Sequence, residues 1–239
     1  MTAFQKRKNL SFADIAVLAL IFFGYATFGA LTQYGQMQQT GELVPENFGF
    51  YDTAANYYSM VVELISLVAA WFYLRWRRFD FSTLDFSVNR YTLPLALLLI
   101  VCAGLFADFY QYIHAAIWPH HYPASEAIVE GSYAQAYNPF AQITLSLLLF
   151  ALLNGFFEEL FFMGLVFATS KKWLPYAIIF SLGVRFVFHV YQGLAGAATI
   201  TTLGLVFLLF RRKITTLLPF MLAHAFFDVF GLSLYHLYG

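Results

Sequence analysis

Five ionisable side chains lie in apolar stretches of this chain, where ionisable residues are rare. Glu158 and Glu159 interrupt one apolar run, His189 lies in the next, and His224 and Asp228 lie in a third, four residues apart. A charged group at bilayer depth costs at least ~2.5–3.5 kcal/mol on insertion scales, so such residues normally face a protein interior or a wet cavity. We therefore expect these five side chains to form one buried polar site.

Carboxylates and imidazoles that share a low-dielectric pocket are suited to activating water. A glutamate can take a proton from water while a histidine stabilises the oxyanion that forms. A His–His–Glu set is also a ligand field for a catalytic zinc ion with one open position. The sequence has no HExxH motif, so a metal site would be assembled across helices. Spacing alone leaves open whether a metal is bound.

Composition indicates what must hold these side chains in place. Of the 239 residues, 61% are hydrophobic and only 11% are charged, whereas soluble domains average about 25% charged residues. The chain is therefore expected to be an integral membrane protein whose main partner is the lipid bilayer. The 13 basic and 13 acidic residues balance, so net charge gives no argument for nucleic acid.

Seven stretches are candidates for crossing the membrane, since about 20 apolar residues span ~30 Å of hydrocarbon. They are roughly Phe12–Leu31, Asn56–Leu74, Leu93–Trp118, Phe140–Ser170, Leu174–Gln192, Ala195–Phe210 and Thr215–Tyr235. Ser11 and Asp14 predict a capping box at the start of the first span. The sequence has no internal repeat, so we predict one all-α membrane domain over residues 1–239. Residues 1–139 carry no motif, and residues 140–239 hold the candidate site.

The basic residues predict the orientation of the spans. Twelve of the thirteen precede the first span or lie in the loops after the second, fourth and sixth spans. The other loops, Thr32–Ala55 and Pro119–Pro139, contain acids but no lysine or arginine. Under the positive-inside rule the amino terminus is cytoplasmic. The remaining basic residue, Arg185, lies within the fifth span and needs a partner, for which the acids of the fourth span are the nearest candidates.

Spacing within the spans favours a shared site. Glu158, His189 and Asp228 each lie roughly 20–25 Å along their helices from a basic loop, at ~1.5 Å per residue. His224 is one turn from Asp228 on the same face. Adjacent glutamates point about 100° apart on a helix, so one can face a cavity while the other takes a structural partner. Gly155 and Gly164 bracket the pair and permit close helix approach. Two further acids at membrane depth, Glu63 and Asp108, belong to no motif.

At these residues the sequence resembles the CPBP family of intramembrane proteases, also called Abi or type II CAAX prenyl endopeptidases. The family pattern is EExxxR in one span, FxxxH in the next, and HxxxN or HxxxD in a later one. The matching residues in this chain are Glu158 with Glu159, then His189, then His224 with Asp228. Their order, spacing and apolar context all agree with the pattern.

The resemblance implies a multi-pass protease of the bacterial cytoplasmic membrane, acting on a hydrophobic or membrane-proximal peptide. Glu158 would activate water, and Asp228 would orient its neighbours. His189 and His224 would support the oxyanion or, with Glu158, hold a metal such as Zn²⁺. Eukaryotic members cleave after a prenylated cysteine, and bacterial relatives are linked to bacteriocin self-immunity or peptide processing.

The chain departs from the family pattern at two positions. The arginine of EExxxR is Met163, and the phenylalanine of FxxxH is Arg185. We therefore predict that Arg185 supplies the missing guanidinium and pairs with Glu159. The alternative is a non-catalytic membrane protein of the same fold, such as an immunity-type binding partner. A transporter is a weaker alternative, because the duplicated halves typical of transporters are not visible.

Overall fold

In a computed structural model, which describes residues 9–40, 52–118, 143–232 and 234, the described residues form seven α-helices. The helices are α1 (Phe12–Thr40), α2 (Thr53–Trp76), α3 (Thr92–Ile117), α4 (Leu145–Glu159), α5 (Leu174–Phe188), α6 (Gly193–Arg211) and α7 (Leu218–Phe230). The predicted all-α class is confirmed, since no strand occurs in the described ranges. An isolated bridge there joins Leu10 to Thr169.

Short irregular turns connect or extend the helices. A 3₁₀ turn, Phe81–Thr83, lies between α2 and α3, and another, Val190–Gln192, lies between α5 and α6. Helix α4 continues through a π-helical turn, Leu160–Leu165, and a 3₁₀ turn, Val166–Ala168. The predicted loop Pro119–Pro139 lies outside the described residues, as does the basic tail before the first span.

In the part of the chain that the structure describes, five helical segments are long and apolar enough to cross a membrane. They are α1, α2, α3, Leu145–Ala168 and Val190–Arg211. Helices α5 and α7 are apolar but shorter, with 15 and 13 residues. The expectation of a multi-pass membrane protein agrees with these five segments. The count of seven crossings and the cytoplasmic amino terminus stay predictions.

The capping box predicted at the start of α1 is confirmed. The backbone N–H and the hydroxyl of Ser11 both donate to Asp14, at 2.9 and 2.7 Å, and the N–H of Asp14 donates back to the Ser11 hydroxyl. Asp14 also accepts from Arg77 Nε at 2.6 Å and from the Tyr73 hydroxyl at 2.8 Å. The first turn of α1 is thereby tied to the last turn of α2.

Several helix boundaries differ from the sequence-based spans, for example the end of α7 at Phe230 where the span was predicted to run to Tyr235. Helix α1 runs past Leu31 to Thr40, because hydropathy marks the apolar stretch while backbone hydrogen bonds can continue through polar residues such as Gln36. Helix α5 ends at Phe188, before His189, although the predicted span ran to Gln192. Gly193, with φ +75°, allows the chain to turn from α5 into α6.

Helices α4 and α7 pack most closely, and Gly155 is the reason. A Cβ atom there would lie 2.6 Å from the carbonyl oxygen of Met221 and 3.0 Å from the backbone nitrogen of Ala225. The backbones therefore touch at this level, as the sequence predicted. Gly164 is less tightly packed, because a Cβ atom there would lie 3.3 Å from side chains of Leu217 and Leu84. Around this pair, α2 lies on α4, α3 lies on α6 and α7, and α1 lies on α5.

Candidate active site

Both glutamates lie at the carboxyl end of α4, immediately before the π-helical turn. Glu158 and Glu159 are buried, with 4% and 0% of their surfaces exposed. A π-helical turn inserts an extra residue into the helical repeat, and such turns are frequent at functional sites. The turn begins at Leu160, so the helix keeps α-helical geometry up to the acids and changes register just after them.

Glu159 is the structural centre of the cluster. Its Oε1 atom accepts hydrogen bonds from Arg185 Nη2 and from His224 Nδ1, each at 2.6 Å. One carboxylate on α4 thus holds side chains from α5 and α7. The pairing of Arg185 with Glu159 that the sequence predicted is confirmed.

The Arg185 side chain fills a space between helices that is bounded by Phe162 and by Gly204. Its guanidinium lies over the ring of Phe162, 4.1 Å from the centroid, which adds a cation–π attraction. On α6, a Cβ atom at Gly204 would lie only 3.1 Å from Arg185 Cδ. The absence of a side chain at Gly204 leaves room for the arginine, which is 1% exposed.

Glu158 has a buried carboxylate oxygen that the fold leaves without a hydrogen-bond partner, and the same holds for Oε2 of Glu159 and of Glu63 among the described residues. The Oε2 atom of Glu158 lies 3.8 Å from His224 Nε2 and 3.9 Å from Arg185 Nη2, beyond hydrogen-bond distance. Within the described residues this buried oxygen has no hydrogen-bond partner. An unsatisfied buried acceptor costs ~1–3 kcal/mol, so the arrangement favours a group from outside the chain, such as water, substrate or an ion.

His224 and Asp228 lie on one face of α7, as their spacing predicted. His224 Nε2 lies 3.6 Å from Asp228 Oδ1, and the other oxygen of Asp228 accepts from Asn154 Nδ2 at 2.9 Å. Sequence reasoning missed Asn154. The signal that could have found it is its position in an apolar run, four residues before Glu158 and therefore on the same helical face.

His189 lies directly after the end of α5. Its Nδ1 atom is 2.8 Å from the backbone carbonyl oxygen of Arg185. Because a carbonyl only accepts, Nδ1 carries the proton and the Nε2 lone pair of the neutral ring is left for another partner. Arg185 therefore contacts two residues of the site. Its guanidinium donates to Glu159, and its backbone carbonyl accepts from His189.

Three residues have ligand atoms close enough to share a metal ion. The ligand atoms of Glu158, Glu159 and His224 all lie within 4.8 Å of one another. The predicted set was Glu158, His189 and His224, and His189 is not in this group. Carboxylate oxygen and imidazole nitrogen are zinc ligands. Glu158, Glu159 and Asp228 carry three negative charges when ionised, and Arg185 carries one positive charge. The site then has two negative charges in excess, which suits a divalent cation.

Of the two acids that the sequence left without a role, Glu63 faces the site. It lies on α2 with 7% of its surface exposed, and it interacts electrostatically with Glu158, Asp228 and His224. Asp108, on α3, accepts a hydrogen bond from the backbone N–H of Leu234 at 3.3 Å.

Comparison with known proteins supports the family resemblance over the part of the chain that holds the predicted site. Residues 140–230 match the model of the family described as type II CAAX prenyl endopeptidase Rce1-like. This segment includes α4 to α7 and all five predicted site residues, so the resemblance is confirmed there. The family is generally one of proteases. No curated protein and no solved structure matches the chain.

Proposed function

We propose that the protein is an intramembrane endopeptidase that hydrolyses a peptide bond of a hydrophobic or membrane-proximal substrate, using water activated by Glu158. One observation carries the proposal. The buried Oε2 atom of Glu158, without a hydrogen bond from any described residue, lies 3.8 Å from His224 Nε2 and 3.9 Å from Arg185 Nη2. The family match supports the reaction class.

Glu158 would act as the proton shuttle. Its carboxylate takes a proton from water, and the water oxygen adds to the carbonyl carbon of the peptide bond. The carbon–nitrogen bond then breaks while the Glu158 carboxyl group passes the proton to the leaving nitrogen. The products are one carboxylic acid and one amine, so a single glutamate accounts for the proton at both stages.

The neighbouring cations would stabilise the oxyanion of the tetrahedral intermediate. His224 is oriented through Nδ1 by Glu159, which leaves Nε2 facing Glu158. Arg185 Nη1 has no hydrogen-bond partner within the described residues. Donors held in place by the fold before reaction are effective in a low-dielectric site. Glu159 would therefore be a positioning residue, because it acts through His224 and Arg185.

A zinc ion is the alternative to the oxyanion role of His224, because Nε2 cannot bind a metal while it donates a proton. Glu158, Glu159 and His224, whose ligand atoms lie within 4.8 Å of one another, would hold it, and His189, the third predicted ligand, lies outside this group. When bound, zinc polarises a carbonyl oxygen and lowers the pKa of a coordinated water. Metal analysis of the purified protein tests this point. Glu158→Gln and His224→Ala should each lower the bound zinc, and an unchanged metal content in both variants would remove zinc from the proposal.

We also propose seven membrane crossings with a cytoplasmic amino terminus. The support is that several helix ends share one side of the molecule. Asp14 at the start of α1 pairs with Arg77 after α2, and Leu10 bridges to Thr169 after α4. Labelling of single cysteines introduced at Ser87 and Ser170, in a background in which Cys102 is replaced by Ala, tests this topology. Both cysteines should react only from the cytoplasmic side.

The function itself can be tested with purified protein and fluorescently labelled hydrophobic peptides. Wild type should release product, whereas Glu158→Ala and His224→Ala should not. Equal release by all three proteins would show that the activity arises elsewhere. The alternative of a non-catalytic binding partner predicts that wild type cleaves none of the peptides while it still binds one of them.

A further inference from the structure

Glu63 lies level with the candidate active site. Asn56, one of the other buried residues of α2, donates to the hydroxyl of Ser146 at the start of α4, at 3.2 Å. Glu63 follows Asn56 by seven residues, or two helical turns, on the same face and about 10 Å further along. The same seven residues from Ser146 along α4 reach Leu153, which directly precedes Asn154. Glu63 is therefore beside the Asn154–Asp228 pair.

The Glu63 carboxylate has no evident structural role. Its Oε2 atom is buried and has no hydrogen-bond partner within the described residues. Its electrostatic neighbours include two acids, Glu158 and Asp228, which repel its negative charge, and one histidine, His224, which attracts it. A buried carboxylate next to other carboxylates is unfavourable unless it takes up a proton or a cation also occupies the site.

The acids at this site outnumber the cations even when a metal is counted. Glu159 is neutralised by Arg185, and a divalent ion, bound in part by a neutral His224, would balance the charges of Glu158 and Asp228. Glu63, when ionised, then remains without a counterpart among the described residues. A singly charged cationic group from a bound molecule would complete the set.

We propose that Glu63 binds a cationic side chain of the substrate, so that the preferred substrates are hydrophobic peptides with a lysine or arginine close to the bond that is cut. The inference rests on the proposed endopeptidase function. The cationic side chain would lie toward the amino-terminal ends of α2 and α4 relative to Glu158, because Asn154 precedes Glu158 along α4. Glu63 would then decide specificity and take no part in the proton transfer.

Binding and cleavage are measured separately, with one set of peptides. Each is an apolar, fluorescently labelled peptide with a single lysine, moved through the sequence, and a matched peptide with norleucine in its place. Binding to Glu158→Gln protein in lipid nanodiscs is followed by fluorescence anisotropy. At the best position lysine should bind about ten- to a hundredfold more tightly, as expected for a charge-assisted contact.

Substitutions at Glu63 in the same protein show whether this residue causes the preference. Glu63→Gln should bring the lysine-to-norleucine ratio close to one, and Glu63→Asp should retain part of it. Glu63→Arg should favour a peptide with glutamate in place of lysine, a reversal that a purely structural residue would not produce.

Two outcomes would overturn the inference. The first is equal binding of lysine and norleucine peptides at every position, and the second is a lysine preference that survives Glu63→Gln. Cleavage by the protein with intact Glu158 separates this inference from the function. A Glu63-dependent lysine preference without any cleavage would count against the endopeptidase function and support the cation-binding role of Glu63. Cleavage without the preference would support the endopeptidase function and count against that role.

Discussion

Arg185 Nη2 lies 2.6 Å from Glu159 Oε1, and both side chains are almost fully buried, at 1% and 0% exposed. The contact joins α5 to α4 at the level of the candidate active site. In the resembling family pattern, the arginine follows the two glutamates on the same helix. Here that position is Met163, which is itself buried in the core. The guanidinium is therefore supplied from a neighbouring helix.

The first prediction concerns this relocated charge. Arg185→Met should lower the free energy of unfolding by about 3–5 kcal/mol, because Glu159 would be left as a buried, unpaired charge, and it should also abolish peptide cleavage. Met163→Arg in the same protein should restore part of both. Thermal unfolding in detergent and peptide release are the measurements. Failure of Met163→Arg to restore either property would show that position 163 and position 185 are not equivalent.

The two adjacent glutamates should respond differently to the loss of charge. Glu158→Gln should reduce kcat by about 10²–10⁴-fold, the usual contribution of a general base, with a small change in the unfolding temperature. Glu159→Gln should instead lower the unfolding temperature, because it weakens the contacts to Arg185 and His224. The opposite pattern, a stable but inactive Glu159→Gln protein, would exchange the roles we give to the two acids.

Gly155 should be the glycine least tolerant of a methyl group. Gly155→Ala forces α4 and α7 apart, since the new Cβ would lie 2.6 Å from the Met221 carbonyl oxygen, and overpacking of this kind costs ~1–3 kcal/mol. Gly183→Ala on α5 is the matched control, because nothing lies within 4 Å of its Cβ. Thermal unfolding should separate the two variants, and similar values for both would argue against the close α4–α7 contact.

Arg211 should stabilise the π-helical turn that follows the glutamates. Its Nε donates to the Met163 carbonyl at 2.7 Å, and its Nη1 donates to the carbonyls of Ile214 and Thr215. Arg211→Met should therefore reduce stability by about 1.5–3 kcal/mol, the range for hydrogen bonds to a charged group. The neighbouring, exposed Arg212 provides the control, and its replacement by Met should change stability by less than about 0.5 kcal/mol.

A loss of cleavage in Arg211→Met at temperatures where the protein stays folded would further indicate that this turn positions Glu158. Equal stability of the Arg211→Met and Arg212→Met proteins would contradict the stabilisation of the π-helical turn by Arg211. Measurements at several salt concentrations help here, because an exposed charge is screened more strongly than the partly buried Arg211.

The sequence alone was sufficient for everything that depends on composition or on spacing within one helix. Low charge content and long apolar runs predicted an all-α membrane protein, and Ser11 with Asp14 predicted the first cap. The four-residue spacing of His224 and Asp228 predicted their common face. These features follow from hydrocarbon thickness and helical periodicity, which are local properties of the chain.

Only the tertiary structure decided how residues on different helices meet. It placed Glu159 in hydrogen-bond contact with Arg185 and His224 and left Glu158 Oε2 without a partner from the described residues. It also ended α5 before His189. Finally, it brought Asn154 and Glu63 close to the site. Helical periodicity fixes which side of its own helix a residue occupies. Which neighbour that side faces depends on how closely the helices pack, and this is set by contacts such as the one that Gly155 permits between α4 and α7.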